Sequence, residues 1–578
     1  MAKTEDISFR DKGELTFTAV LLGILLAVVF GAANAYLGLR VGLTVSASVP
    51  AAVISMGVLR FVLRRDSILE NNMVQTIGSA GESLAAGAIF TMPALYLWAQ
   101  EGVCLEPGLL PLTLIALAGG VLGVLLMVPL RRPLIVEEET SLIYPEGRAC
   151  ADVLRAGEVG AGRAKVVFWG VAGASLVKIV TGGLKWIPET IALPIRSIRG
   201  ALGFEVSPAL LGVGYVVGPK IATFLFAGAA LGWVVLIPFF SFYVPEAATA
   251  WAQGGVTAVW KGYIRYVGAG AIAMGGFLSL VRSMPLFART FAASVKGLRA
   301  NGVENGAFVP PTERDLPMGR VLAGLVCVVV FLWAVPAVPV GLLGALLIAL
   351  FGFFFAAVSA RMVGLVGSSN NPISGMTIAT LVVASLVLKS TGTVGAQGML
   401  AAIAIGSVVC IVAAIAGDTA QDLKTGRLLG ATPWKQQVGE LVGVTTSALT
   451  IGGVLVLLHR AWGFGSDAIS APQAMLMKTI VEGIMGDALP WGYLAFGAGL
   501  ALVLAACRVQ VMPFAIGLYL PIGLNATIFA GGLVRYLVDR RRGEKPESED
   551  SGVLLSAGLI AGEGLCGILL AVLTLIFR

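Results

Sequence analysis

The sequence is short of charge and almost without histidine. Only 13% of its 578 residues are Asp, Glu, Lys or Arg, and His459 is the one histidine. A soluble globular chain carries about 25% charged residues. One of this length would also divide into several domains, each needing a polar skin. The shortage therefore excludes a soluble multidomain enzyme. With 57% hydrophobic residues it also excludes a disordered chain. The six cysteines (Cys104, Cys150, Cys327, Cys410, Cys507, Cys566) form no C-x-x-C pair. They read as small core residues, not as a disulfide frame or a zinc site. No G-x-x-x-x-G-K-[ST] stretch occurs, so the chain carries no P-loop ATPase. H-E-x-x-H and G-x-S-x-G are also missing, which removes the metalloprotease and ordinary serine-hydrolase readings. Neither a cofactor nor a resident metal is expected, and the chain is not expected to be an enzyme.

Apolar runs and glycine are what the chain has in abundance. Mean hydropathy is +0.90. Glycine numbers 75 of 578 residues, well above the usual share of about 7%, and glycine is favoured where membrane helices pack closely. Runs long enough to cross about 30 Å of hydrocarbon lie near 15–39, 41–59, 74–99, 109–130, 166–186, 209–240, 262–281, 320–341, 342–366, 372–390, 395–416, 438–458, 489–507, 512–538 and 553–577. Such runs exclude a β-barrel, whose strands alternate over about 10 residues. The 209–240 run is broken at Gly218-Pro219, and 474–487 is too short to span and is expected to be re-entrant. Met1–Glu14 shows no signal-peptide pattern, so the first span is expected to be a retained helix.

The net charge is +7, from 40 basic and 33 acidic residues. In a membrane chain this points to positive-inside orientation and not to nucleic acid. The basic segments are the N-terminus, Arg60–Arg65, 131–165, 282–320, 417–437 and 535–545, all expected on the cytoplasmic side. Parity then exposes a gap. Three runs are visible between Lys165 and Arg282, and three again between 437 and 535, although both ends should be inside. Each half is therefore expected to hide one crossing or re-entrant hairpin.

The matching gap suggests a duplication. Arg40-Val-Gly-Leu pairs with Arg361-Met-Val-Gly-Leu, and Glu70-Asn71-Asn72 with Ser369-Asn370-Asn371. Asp152–Gly157 pairs with Asp422–Gly426, Phe226-Ala-Gly-Ala-Ala-Leu with Phe529-Ala-Gly-Gly-Leu, and Gly270–Gly276 with Gly558–Gly564. The expected fold class is an all-α polytopic membrane protein. It has about 16 transmembrane helices from a duplicated eight-span unit, with broken or re-entrant helices near a substrate site. The halves are 1–289 and 320–578, joined by a cytoplasmic linker at 290–319. A two-fold repeat of membrane helices is a common plan for secondary transporters, whose substrate sits near the midplane at discontinuous helices.

The chemistry is expected at these interruptions. Asn371 before Pro372 reads as a helix start, with Ser374 and Thr377 one turn in. Free N–H donors at membrane depth offer a place for a carboxylate or carbonyl. Asn71, Asn72 and Gln75 are its expected repeat mates, and Asn370 belongs to the same cluster. The alternative is that both segments are capped helix ends in turns. Glu82 and Glu563 are acids within spans, where a carboxylate costs on the order of 2.5–3.5 kcal/mol and commonly marks a pathway or relay. Both are expected to couple protons, and Glu82 also to bind substrate. The alternative for each is an ion pair with a basic neighbour such as Lys178 or Lys185, or a carboxylate that snorkels to the interface. Lys178 is a candidate anion contact or a structural ion pair. Tyr519 and Asn525 flank Pro521, and Tyr215 and Lys220 flank Gly218-Pro219. These two broken helices are candidates for the cavity wall. The segments 144–157 and 417–433 read as capped, salt-bridged cytoplasmic helices.

With these motifs in hand, the sequence resembles the oligopeptide transporter (OPT) family, including its yellow-stripe-like branch. The resemblance rests on Ser368–Thr377, Asn71–Glu82, Ile143-Tyr-Pro-Glu-Gly147 and Gly417–Gly426. It implies about 16 transmembrane segments and proton-coupled uptake of small peptides or metal chelates. The compact loops look prokaryotic, hence an inner membrane. The expected partners are a small-molecule substrate, protons and the lipid bilayer, with no nucleic acid; a homodimer is left open. Peptides or modified peptides are the first expectation, and siderophore- or nicotianamine-like metal chelates the alternative. An ion or solute channel is the reading from another class.

Overall fold

A computed structural model describes residues 13–576 except 43, 45, 66, 140–141, 158–161, 273, 276–277, 279–309, 369–370, 467, 487–490 and 543–550. Asn370 and most of the expected linker lie outside the described residues. The chain opens with α1 (Phe17–Val41), α2 (Ser48–Gly57), α3 (Ile68–Ile89), α4 (Pro93–Gln100) and α5 (Leu109–Arg131). Next come α6 (Pro145–Gly157), α7 (Gly162–Lys178), a hairpin of β1 (Thr190–Ile195) and β2 (Gly200–Glu205), α8 (Pro208–Ala230), α9 (Ile237–Tyr243) and α10 (Pro245–Val259). The second half holds α11 (Met318–Ala334), α12 (Gly341–Val366), α13 (Ile373–Ser390), α14 (Gly395–Leu429) and α15 (Pro433–Trp462). It ends with α16 (Pro472–Met485), α17 (Trp491–Ala506), α18 (Val511–Tyr519), α19 (Ile522–Arg542) and α20 (Ser551–Ile576). The chain is a polytopic membrane protein of helices. Among the described residues, nine helices are long and apolar enough to cross a membrane.

The departures from the expected spans have local causes. Gly42, at φ 74°, ends α1, and among the described residues 42, 44, 46 and 47 are non-helical, so the 41–59 run shortens to α2. Gly218, at φ 84° and ψ 169°, breaks α8 ahead of Pro219, as the sequence predicts. Pro521 separates α18 from α19. The helix expected within 417–433 is not a separate short element: residues 417–429 continue α14, buried as far as Gly426. The hairpin was not expected. Pro188 and Pro194 deny the segment a helix, and the strands close through residues 196–199 with Ile195 paired to Gly200. Glu205 is pinned to α19, its N–H donating to Thr527 Oγ1 at 3.0 Å and its carbonyl accepting from that hydroxyl at 2.6 Å.

Packing directions reveal a relation between the halves. Gly23 of α1 lies against Ile77 of α3, and Gly31 against Gly81, so α1 and α3 run parallel. Gly344 of α12 lies against Ile405, and further along Gln421 donates to the Val363 carbonyl, so α12 and α14 also run parallel. Yet Gln75 meets Asp422, Ser79 meets Asp418 and Gly87 meets Ile411, so α3 and α14 run antiparallel. The α12–α14 unit is thus the α1–α3 unit turned upside down. Each unit has a long helix ended by a positive-φ glycine (Gly42, Gly367), a six-residue turn and a shorter helix. In this register Gly42–Ala47 corresponds to Gly367–Pro372. This register differs from the expected pairing of Glu70–Asn72 with Ser369–Asn371.

A second reciprocal pattern joins the broken helices. A Cβ on Gly214 would strike the Ile528 carbonyl, and one on Gly517 the Leu225 carbonyl. Likewise Gly228 abuts the Phe514 carbonyl, and Gly531 that of Leu211. Moving 211, 214, 225 and 228 forward by 303 positions gives 514, 517, 528 and 531, so each contact maps onto another of the set. Phe226 and Phe529, related by the same shift, stack with centroids 4.9 Å apart.

Candidate functional site

A cavity of about 1220 Å³ lies where these interruptions meet. Its wall takes Gly42, Ser46 and Pro50 from the first turn and α2, and Ser368, Asn371 and Ser374 from the second turn and α13. Gly218, Pro219 and Lys220 come from the break in α8, with Arg508, Arg535 and Asp539 from the region of α18 and α19. Arg535 donates to the Tyr215 and Val216 carbonyls at 3.1 and 2.8 Å. It thereby satisfies acceptors that the break in α8 leaves without helical partners.

The expected site residues divide into three groups. Asn371 and Ser374 line the cavity. The Asn371 amide donates to Ser359 Oγ at 2.7 Å, steadying the turn from α12. Thr377 lies deeper, its hydroxyl returned to the Ile373 carbonyl at 2.9 Å. Asn71 and Asn72 are buried away from the cavity wall. Asn71 accepts from the Ser55 hydroxyl at 2.8 Å and donates to the Ser67 carbonyl at 3.1 Å. Gln75 and Glu82 belong to the packed interior behind the wall. Glu82 accepts from the Asn34 amide and, at 3.3 Å, from the Ala47 N–H at the start of α2. The remaining candidates serve the frame. Asn525 donates to the Pro521 carbonyl at 3.0 Å and the Gly517 carbonyl at 3.3 Å, tying α18 to α19. Tyr519 is buried and accepts from Arg265 at 2.8 Å.

Glu563 and Lys178 both meet oppositely charged groups. Glu563 accepts from Ser207 at 2.8 Å, the Ala209 N–H at 2.8 Å and Arg40 at 3.2 Å. Arg40 also pairs with Glu205 of the hairpin. Lys178 pairs with Glu189 at 2.7 Å. The structural ion pair, left open for each from the sequence, is what the geometry contains.

Sequence reasoning missed a set of carboxylates. Asp418 and Asp422 stand one turn apart on α14, and Glu440 on α15 faces both. All three are buried. Ser79 donates to Asp418 at 2.6 Å, Ser368 to its other oxygen at 3.0 Å, and Gln75 to Asp422 at 2.5 Å. The signal was present as two acids at i and i+4 directly after Gly417. A Cβ on Gly417 would lie 2.7 Å from Ser359 Oγ and 2.9 Å from Asn371 Nδ2. Reading 417–433 as a salt-bridged cytoplasmic helix drew attention to its acid–base spacing and away from the two acids. Beyond the spans, Glu139 accepts from Lys424 of α14 at 2.8 Å, and that hydrogen bond leads the effects that hold the Glu139 carboxyl below its ordinary range. Among the described residues no group of His, Cys, Asp and Glu is arranged to hold a metal ion.

Comparison with known proteins agrees with this architecture. A family model described as OPT oligopeptide transporter protein matches residues 14–574. A Haemophilus influenzae protein whose name assigns it to oligopeptide transport is 36% identical over 93% of this chain and 92% of its own length. The metal-nicotianamine transporter YSL3 of Arabidopsis thaliana is 22% identical over 96% of this chain and 90% of its own. The iron-phytosiderophore transporter YSL15 of Oryza sativa is 22% identical over the same shares. A chain of apolar helices, interrupted around a large cavity and matched almost from end to end, belongs to the OPT oligopeptide transporter family and is a transporter, not an enzyme.

Proposed function

We propose that this protein is a proton-coupled symporter that imports small oligopeptides or modified peptides by alternating access, in a prokaryotic inner membrane. The observation that carries the reading is the pair of inverted units whose turns, Gly42–Ala47 and Gly367–Pro372, meet at one cavity. Inverted repeats with discontinuous helices at the substrate site are a recurrent basis for rocking between inward- and outward-open states. The start of α13, Ile373–Gly375, lines the cavity, and a helix start is a setting for substrate carboxylate or carbonyl groups. Glu82 lies behind the first turn and is bonded to its last amide. Its protonation state is thereby linked to the position of that turn. Glu563 we assign to anchoring, through Arg40, of the hairpin against α20.

A second substrate class has its own support. Relatives named for metal-nicotianamine and iron-phytosiderophore transport match 96% of the chain. Lys220 and Arg508 in the cavity wall suit a chelate rich in carboxylates. Purified protein in proteoliposomes, with the interior more alkaline than the bath, separates the readings. Di- to pentapeptides, glutathione and metal–nicotianamine complexes form the panel. The expected result is uphill accumulation of peptides that collapses with the pH gradient. Glu82→Gln is expected to reduce that accumulation at least about tenfold, the scale on which 1.4 kcal/mol acts. Accumulation of chelates alone would select the second class. Downhill flux of every solute, indifferent to pH, would point to a channel and sink the proposal.

A further inference from the structure

We infer that Asp418, Asp422 and Glu440 form a proton-loading cluster that receives its proton from the cavity through the Ser368 hydroxyl. The inference rests on the symporter reading and names where the coupling ion is carried.

Three observations support it. The first is electrostatic. Asp418, Asp422 and Glu440 are 2%, 1% and 0% exposed. Among the described residues none of the three has a Lys or Arg within ion-pair distance; Lys424, on the same helix, pairs instead with Glu139 at 2.8 Å. Three neighbouring carboxylates in a low-dielectric interior cannot all be ionised without a compensating cation. Among the described residues, the other titratable groups facing them add no positive charge. They are Glu82 of α3 and Cys150 of α6, with Glu146 of α6 close to Glu82.

The second observation is unmet hydrogen-bonding capacity aimed inward. Gln75 Oε1 and Asp422 Oδ2 have no hydrogen-bond partner in full geometry among the described residues, and the Glu440 carboxylate has only the Thr419 hydroxyl and the Asp422 carboxyl beside it, neither in full hydrogen-bond geometry. Gln75 is fully buried and reaches the cluster through its amide nitrogen, leaving its carbonyl oxygen as a further acceptor. Buried acceptors without donors cost about 1–3 kcal/mol each. A proton held between Asp422 and Glu440 supplies the missing donor.

The third is a path. Ser368 stands in the cavity wall and donates to Asp418 Oδ1 at 3.0 Å. The opposite oxygen, Oδ2, accepts from Ser79 at 2.6 Å, and Ser79 is 2.8 Å from Ser48 Oγ. Ser48 is the first residue of α2, directly after Ala47, whose N–H reaches Glu82. The hydroxyl of Ser368 can pass its hydrogen to the Asp418 carboxylate and take another from a hydronium ion in the cavity, which leaves as water, with no net change at the serine. The same line of hydroxyls ties Asp418 to the turn of the opposite inverted unit. Loading the cluster therefore bears on both turns that form the cavity.

The test separates coupling from substrate binding. Wild-type protein and the variants Asp418→Asn and Glu440→Gln are reconstituted with a panel member that the wild type accumulates. Accumulation under a pH gradient is compared with counterflow at equal pH, which needs no net proton movement. Both variants are expected to lose at least about tenfold in accumulation while keeping counterflow within about twofold. Ser368→Ala is expected to slow accumulation without abolishing it. Undiminished accumulation in both variants overturns the inference. So does loss of counterflow in variants that melt like the wild type, because the cluster would then belong to substrate binding. Driving of wild-type uptake by a Na⁺ gradient at equal pH also overturns it. Absence of any pH-driven accumulation by the wild type sinks the symporter reading itself, a distinguishable outcome. Infrared titration of unmodified protein between about pH 5 and 9 does not depend on variant folding. Buried carboxyl bands that exchange in this range support the cluster, and their absence contradicts it.

Discussion

Glu139 shows how unequal the two partners of one ion pair can be. Its side chain is 42% exposed, whereas Lys424, its partner, is 4% exposed and projects from α14. Removing the carboxylate with Glu139→Gln leaves a buried ammonium without that partner. Removing the ammonium with Lys424→Met leaves a carboxylate that water can solvate and Arg427 can still reach at 3.4 Å. Breaking a pair is costly mainly through the buried charge left behind, so Glu139→Gln is expected to lower the melting temperature in detergent more than Lys424→Met. Equal effects would remove the argument. The pH dependence has a definite sign. Because the Glu139 carboxyl is held below its ordinary range, its contribution is present above the unfolded value of about 4.3. It is lost as pH falls through the lower, folded value. Solvent screening keeps it within the range of about 0–1 kcal/mol typical of exposed pairs. The melting temperature of the wild type relative to Glu139→Gln should be flat from about pH 8 to 5 and converge below about pH 4. Single residues of this kind were legible in the sequence only where they broke a pattern. Glu82 stood out as an acid inside an apolar run. Asp418, Asp422 and Glu440 did not, because each lies close to a basic segment that reads as the end of a span.

At the scale of elements, proline and glycine gave away the interruptions, and their partners stayed hidden. Gly218-Pro219 and Pro521 announced the two breaks, and Phe226-Ala-Gly228 with Phe529-Ala-Gly531 announced that the broken elements are copies. Sequence spacing could not show that each copy packs against the other so that every close approach occurs twice. Nor could it show the α1–α3 and α12–α14 units as inverted copies, since inversion leaves the order of residues unchanged. The hairpin was missed because its strands, within Thr190–Glu205, carry no turn dipeptide and follow an apolar helix. The reciprocal contacts make a sharp prediction. At Gly228 an added Cβ would overlap the carbonyl of Phe514 and press on the Leu518 nitrogen, both backbone atoms. Rotation of a side chain cannot relieve such a clash. Gly228→Val and its mate Gly531→Val are each expected to cost at least about 1–3 kcal/mol, the scale of overpacking. Gly453→Ala in α15, where nothing lies within 4 Å, serves as the control. It should leave stability unchanged or raise it by up to about 1 kcal/mol through helix propensity. Thermal unfolding in detergent reads all three, and a tolerated Gly228→Val would contradict the packing.

For the whole molecule, the question is which end of the cavity is closed. Its wall includes Lys220, Arg535 and Asp539, residues of the end that carries the basic loops, which the positive-inside rule places in the cytoplasm. The opposite end is sealed by an ionic cluster. Lys478 of α16 bridges Glu101 at 2.9 Å and Glu482 at 2.8 Å, and Trp98 donates to Glu482 at 2.7 Å. Beneath it, the Ala471 N–H reaches the Leu39 carbonyl at 2.8 Å and Gln473 donates to the Gly42 carbonyl at 3.1 Å. These bonds hold α16 onto the last turn of α1 and the first cavity turn. The alternating-access cycle proposed above requires them to part. Weakening the seal should therefore raise the outward-open population without touching the cavity. Lys478→Met removes the bridge and leaves Glu101, 52% exposed, to water. A bias of about 1–2 kcal/mol changes a population ratio by a factor of about 5–30. The readout is a cysteine at Ser46, which lines the cavity, placed in a background from which the native cysteines are removed. Labelling of this Ser46→Cys reporter by an impermeant maleimide from the outer face should accelerate by that factor in Lys478→Met. Labelling from the cytoplasmic face should slow or stay the same. Faster labelling from both faces would mean that the substitution loosens the fold and does not shift a two-state equilibrium. No change from outside would place the closing contacts elsewhere in the molecule.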